Sequence, residues 1–286
     1  MIRKLLMLVL LIVAGIIGWW YWSGGDLVSL GDSLSTSSLS QFIDSGEFVT
    51  LEAKYTPEQL MEKHRVELLQ DNQHTFQEPI LKFYPYILLD VKYAQSDKKT
   101  REGFILWSLT NGEMVTDTEF WDQTHGFEDA INAGATRNDF KVLFALAKHS
   151  GSLTNQQLFQ ELHLDADVVN PWIESAREKH LIVQSGNELQ LHFENPKILV
   201  IPQTRVKQAF VTKPHASAPR VPKNYSRSQI EKIANAAFGP SFTIRTAKEI
   251  YLPVYCLCVL NPDSSVYTSY WNALTGYKMP SSYAMK

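Results

Sequence analysis

The residues best placed for acid–base chemistry lie in one stretch, where Asp117, Glu119, Asp122, Glu128 and Asp129 surround Trp121 and His125. Carboxylates beside an imidazole can activate water and protonate a leaving group, so Asp122 and His125 mark a candidate hydrolase site. The same acids also read as a loop and a capped helix start with no catalytic task. Cys256 and Cys258 are the only cysteines. Two apart on an expected strand, they point to one face, where a mutual disulfide would be strained and two thiolates are an incomplete metal site. The eight histidines show no His-Glu-x-x-His spacing, and there is no Gly-x-Ser-x-Gly elbow, phosphate-cradling loop or dinucleotide fingerprint. No metal, no cofactor and no catalytic residue is expected.

The elements around these residues say more. With 286 residues, 44% apolar and 20% charged, the chain is long enough for several modules and has the composition of a folded protein. A formal charge of −3 exerts no pull toward nucleic acid or anionic lipid. Residues 5–22 carry no charge. As a helix, at about 1.5 Å per residue, they would span roughly 27 Å of hydrocarbon. Leu5, Leu11 and Ile16 would face lipid, and Trp19, Trp20 and Trp22 would sit at headgroup level. Arg3 and Lys4 precede the span and the next base is Lys54, so the expected topology is N-terminus inside, bulk outside the cytoplasmic membrane, periplasmic if the envelope is Gram-negative. A cleaved signal peptide is the alternative, but aromatic bulk occupies the place of a small-residue cleavage site.

Residues 23–40 hold seven serines and three glycines, a flexible tether. From there the pattern is α+β. Residues 41–136 read as a strand, a helix opened by Thr56-Pro57-Glu58-Gln59 to about Asp71, and an antiparallel meander through Tyr84–Tyr93, Gly103–Leu109 and Glu113–Val115. Residues 137–194 read as three helices and a hairpin. This order resembles the winged-helix fold, yet five Lys/Arg against eight Asp/Glu oppose phosphate contact, and nucleic acid is not expected as a partner. Residues 195–225 hold five prolines, six Lys/Arg and no acid. They read as a basic connector, either solvated or drawn to anionic polymer or lipid. Residues 226–286 give a helix from Ser226 to Gly239-Pro240, then strands Phe242–Ala247, Val254–Leu260 and Val266–Asn272.

The two end modules echo each other, since Trp107 and Trp271 are each followed five residues later by a glycine, Gly112 and Gly276. Either a duplication or chance similarity of two hairpins explains this. The C-terminal module, with Leu252-Pro253-Val254-Tyr255, a turn at Asp263 and a strand ending in Asn272-Ala273-Leu274-Thr275-Gly276, resembles the PepSY superfamily, with Asn272 in place of that family's aspartate. The resemblance implies an extracytoplasmic, non-catalytic module that binds peptides or proteins, in protease restraint or envelope assembly. Tyr84, Tyr86, Trp107, Tyr255, Tyr267, Tyr270 and Trp271 alternate on strands covered by one helix each, so some of these rings should be exposed for binding; Thr275 and Gly276 complete the expected site. The reading is a membrane-anchored binder of an envelope protein or peptide. A tethered winged-helix regulator of nucleic acid and a hydrolase at Asp122/His125 are its alternatives.

Overall fold

The computed structural model describes residues 48–69, 71, 73–94, 99–212 and 219–280; the expected anchor over 1–22 and tether over 23–40 lie outside them. Within Glu47–Lys286, one compact unit, local chemistry sets the element boundaries. Val49–Leu51 is a short strand, β1. Thr56 accepts from the Gln59 N–H, Gln59 returns a bond to the Thr56 N–H, and Pro57 needs no partner at the first helical position. Helix α1, Pro57–Lys63, opens there and continues after a break at His64 as α2, Arg65–Leu68. Strands β2, Thr75–Phe76, β3, Ile80–Ala94, β4, Thr100–Ser108, β5, Met114–Asp117, and β6, Asp122–Gln123, precede helix α3, Phe127–Asn132.

The middle of the chain gives α4, Arg137–Lys148, strand β7, Ser152–Thr154, α5, Asn155–Leu162, α6, Ala166–Glu178, and the hairpin of β8, Ile182–Ser185, and β9, Glu188–Leu191. β7, beyond the three helices and hairpin expected from sequence, joins that hairpin in a sheet of order β7-β9-β8. Strand β10, Phe210–Thr212, lies within the connector. Helix α7, Arg227–Phe238, starts from a Ser/Gln capping box at Ser226 and stops at Gly239. β11, Phe242–Leu260, and β12, Val266–Asn272, complete the chain. The fold is α+β, with seven helices among the described residues.

The nine-stranded sheet joins both end modules through the long antiparallel pair β3·β11. Two strands expected over 242–247 and 254–260 are one, bulged between Ile244 and Thr246. Pro253 sits where the neighbour of β11 passes from β1, paired at Tyr251, to β12, paired from Val254. A missing N–H costs little at such a junction.

This sheet has an internal pseudo-two-fold. Pro85 faces Tyr251 and Phe83 faces Pro253, so the central pair Tyr84–Leu252 maps onto itself. Tyr86–Ser108 and Ile87–Trp107 correspond to Val254–Asn272 and Tyr255–Trp271. The parallel bridge Phe83–Arg220 corresponds to Tyr251–Thr50. The helices are exchanged between halves. Lys54 and Tyr55, leading into α1, donate to the Ala273 carbonyl at 2.9 and 3.0 Å, while Asn224 and Tyr225, leading into α7, donate to the Leu109 carbonyl at 2.9 and 3.0 Å. Leu60 and Leu68 therefore pack on Leu257, Val259 and Trp271, and Ile230, Ile233 and Ala234 join the core of Ile87, Leu89, Ile105 and Trp107. Burying each such side chain contributes about 1.5–3 kcal/mol.

The connector is tied down by charge. Arg205 pairs with Asp117, Lys207 with Glu119, Lys197 with Asp122 at 3.9 Å and Lys223 with Glu249, while Arg220 lies over the Phe48 ring at 4.5 Å.

Candidate functional site

Four of the rings expected at a binding surface are core residues, which corrects the expectation of exposure for them. Tyr84, at the centre of the β3·β11 pairing, and Tyr86, two residues on, are 1% and 0% exposed. The Tyr86 hydroxyl accepts from Gln123 Nε2 at 3.3 Å, and its ring meets Trp121 edge-on at 5.4 Å. Trp107 and Trp271 are covered by α7 and by α1–α2. Sheet strands buried on both sides leave no free face for such rings. Thr275 and Gly276 are turn formers: Asn272 Oδ1 accepts from the Leu274 and Thr275 N–H groups, and Thr275 Oγ1 from the Tyr277 N–H. Ser108 and Asn111 serve the equivalent turn, with Ser108 Oγ accepting from Thr110 and Asn111 and Asn111 Oδ1 from Glu113.

The remaining predicted residues gather at one end. Tyr255 and Tyr270 are half-buried. Burial, then the Glu58 charge, raises the Tyr255 hydroxyl pKa; burial, then Cys256, raises that of Tyr270. Tyr267 is 43% exposed, and its hydroxyl accepts from Lys278 Nζ at 2.9 Å. Lys82 lies over the Tyr270 ring at 5.4 Å, and Lys63 over both Tyr55 and Tyr277, at 5.2 and 5.9 Å. Val66 on α2, Val266 on β12 and Tyr277 after β12 stand exposed. A cavity of about 560 Å³ opens beside α2, lined by Arg65, Val66, Leu69, His74 and Phe76. At its wall His74 Nδ1 lies 2.6 Å from Asp71, and that hydrogen bond holds the Asp71 carboxyl below its ordinary range. The helix expected to run to about Asp71 covers α2 but not the break at His64; the Glu67-to-Lys278 and Lys63-to-Tyr277 contacts beside it are non-local and were not foreseen.

His64 shapes the floor of this end. Its ring lies 4.1 Å from that of Trp271, and Nε2 is 3.2 Å from the Gly276 carbonyl. In the other half the indole of Trp107 donates to the corresponding Gly112 carbonyl at 2.7 Å, whereas Trp271 donates to Ser269 Oγ at 2.8 Å.

Comparison of the chain with family models, curated proteins and solved structures gives no match.

Within the acidic stretch Asp117 and Asp122 are cross-strand partners on β5 and β6. Asp117, Glu119 and Asp122 each meet a different base of the connector, Glu128 accepts from the Tyr225 hydroxyl at 3.2 Å, and His125 Nδ1 lies 3.3 Å from the Asn195 carbonyl. Glu113, like Asp117, is buried. It accepts from Thr124 Oγ1 at 2.6 Å and from the N–H groups of Gly126 and Glu128, at 2.9 and 3.1 Å, which caps α3. Burial pushes its pKa up, against those hydrogen bonds. On α6, Arg177 pairs with Glu174, and just past it Lys179 reaches the fully buried Asp139 at 2.5 Å. The Cys256 and Cys258 sulfurs lie 3.9 Å apart as free thiols, and burial, then Cys258, pushes Cys256 up to about 11.

Proposed function

We propose that this chain is a non-catalytic, membrane-anchored extracytoplasmic protein that binds a protein or peptide partner in the cell envelope. The observation that carries the reading is the end formed by α1, α2 and β12, where exposed Tyr267, Tyr277, Val66 and Val266 flank a strand at the margin of the sheet. Amphipathic rings and aliphatics in such a place suit protein contact, and a sheet margin supplies main-chain donors and acceptors. The charge-free N-terminal segment with its aromatic border supports the anchor. The C-terminal module's resemblance to the PepSY superfamily points to the same kind of task.

The α4-to-β9 segment, which the sequence likens to a winged helix, supports nucleic-acid binding less, because both bases at the end of α6 already have acidic partners. In this reading the segment is a structural insert between the two halves.

A photo-crosslinking residue at Tyr277 of the full chain in intact cells is expected to capture one envelope protein reproducibly, and at the distant exposed Val183 to capture none. A reporter fused after Lys286 is expected to be active only outside the cytoplasm. Equal capture at both positions, or activity only inside, would overturn the proposal.

A further inference from the structure

Among the described residues, the pseudo-two-fold leaves one half of the sheet with a filled strand edge and the other with an open one. In the first half β4 and β5 separate after a short pairing, Leu106–Val115 and Trp107–Met114. Connector residue Thr204 enters the gap. Its N–H donates to the Phe104 carbonyl at 2.7 Å, and its hydroxyl accepts from the Leu106 N–H at 2.8 Å and donates to the Val115 carbonyl at 2.5 Å. Thr204 is buried, and so are Phe104 and Leu106. Gln203 beside it lies over Gly103, where a Cβ would come within 3.2 Å of the Gln203 side chain.

In the second half the equivalents are Thr268, Tyr270 and Met279. The Met279 N–H donates to the Tyr270 carbonyl at 2.7 Å and the Asn272 N–H to the Tyr277 carbonyl at 2.9 Å, which fixes the even-numbered main-chain groups of β12 as pointing away from β11. Among the described residues the Thr268 carbonyl, the Tyr270 N–H and the Met279 carbonyl have no hydrogen-bond partner. Thr268 is exposed, and Tyr267 replaces Gly103.

We infer that this open edge of β12 binds an extended peptide segment, antiparallel to β12, through a serine or threonine that repeats the contacts of Thr204. Its N–H meets the Thr268 carbonyl; its hydroxyl accepts from Tyr270 and donates to Met279. The preceding residue lies across the Tyr267 ring, which suits a flat or aliphatic side chain better than the glutamine accommodated over Gly103. Removing the hydroxyl leaves a donor and an acceptor unmatched inside the new interface, so valine in its place should weaken binding at least about tenfold. The inference rests on the peptide-binding reading and names the site and the ligand's chemistry.

The probe is a fluorescent peptide of residues 199–207, the chain's own occupant of the filled edge, carrying a photoreactive group and titrated against the full-length chain in detergent. Saturable binding, crosslinks confined to β12 and the segment after it, and the tenfold loss for the Thr→Val peptide are expected. Thr268→Pro should also abolish binding, because its ring stands where the incoming strand must lie while no N–H that pairs with β11 is lost; its melting curve reports whether it folds, and the Thr→Val peptide tests the slot without any protein variant. Crosslinks elsewhere, equal binding of the valine peptide, or no saturation at millimolar peptide would overturn the slot. The cell crosslink at Tyr277 tests the broader reading by itself, so the two failures are distinguishable.

Discussion

Tyr84 and Leu252 face each other at the centre of the β3·β11 pair, and they are the one pair there that the pseudo-two-fold carries onto itself. The neighbouring positions on β3 and β4 have counterparts on β11 and β12, so the sheet contains its own control. A substitution at one position can be compared with its equivalent in a second, slightly different setting.

Gly112 and Gly276 both have φ of +70°, and a Cβ on either would come within 3.1 Å of the tyrosine ring that precedes the exchanged helix, Tyr225 or Tyr55. Alanine at either position combines left-handed strain with a clash against a ring held by main-chain bonds. Each should cost about 1–3 kcal/mol, and the two costs should agree within about 1 kcal/mol in chemical denaturation. A neutral result at one site and a large loss at the other would break the equivalence.

His64 occupies the position that Ala234 fills in the other helix, between the helix and the buried tryptophan. His64→Ala removes the bond to the Gly276 carbonyl and the stacking on Trp271. A loss of about 1–2 kcal/mol is expected, together with a shift in tryptophan emission. Unchanged emission would mean that the ring contact does not hold Trp271 in place.

Thr204→Val keeps the shape of the connector residue but removes a buried hydroxyl that bonds both Leu106 and Val115. Two buried main-chain groups then lack partners, and a loss of about 2–3 kcal/mol follows. Hydrogen exchange should accelerate at Leu106 first. Protection unchanged there would show that the hydroxyl does not seal the gap between β4 and β5.

Glu113 gives a pH signature. Its carboxyl has a folded pKa raised above the ordinary 4.5 by burial, so the native state binds more protons than the unfolded chain between the two values. Its contribution is therefore fully present below about pH 4.5 and is lost as pH rises through the folded value. Glu113→Gln should flatten that part of the stability curve. Parallel curves for the two proteins between pH 4 and 7 would contradict this.

The α+β class, the starts of α1 and α7 and most strand positions were legible in the sequence because their causes are local. Thr56 and Ser226 each bond a residue three positions on, and the Asn111-Gly112 turn needs only its own residues. The Trp-to-Gly echo was visible as well, since it is a spacing. Hidden from it were the exchange of helices, the burial of Tyr84, Tyr86, Trp107 and Trp271, the pairing of the connector's bases with the acidic stretch, and the open edge at Thr268. In those cases the partners lie far apart along the chain, and which face a helix covers depends on the free energy of burying apolar surface over the whole sheet. Local residue order therefore determined what the elements are; tertiary structure decided which half each helix completes, and with it which strand edge stays open.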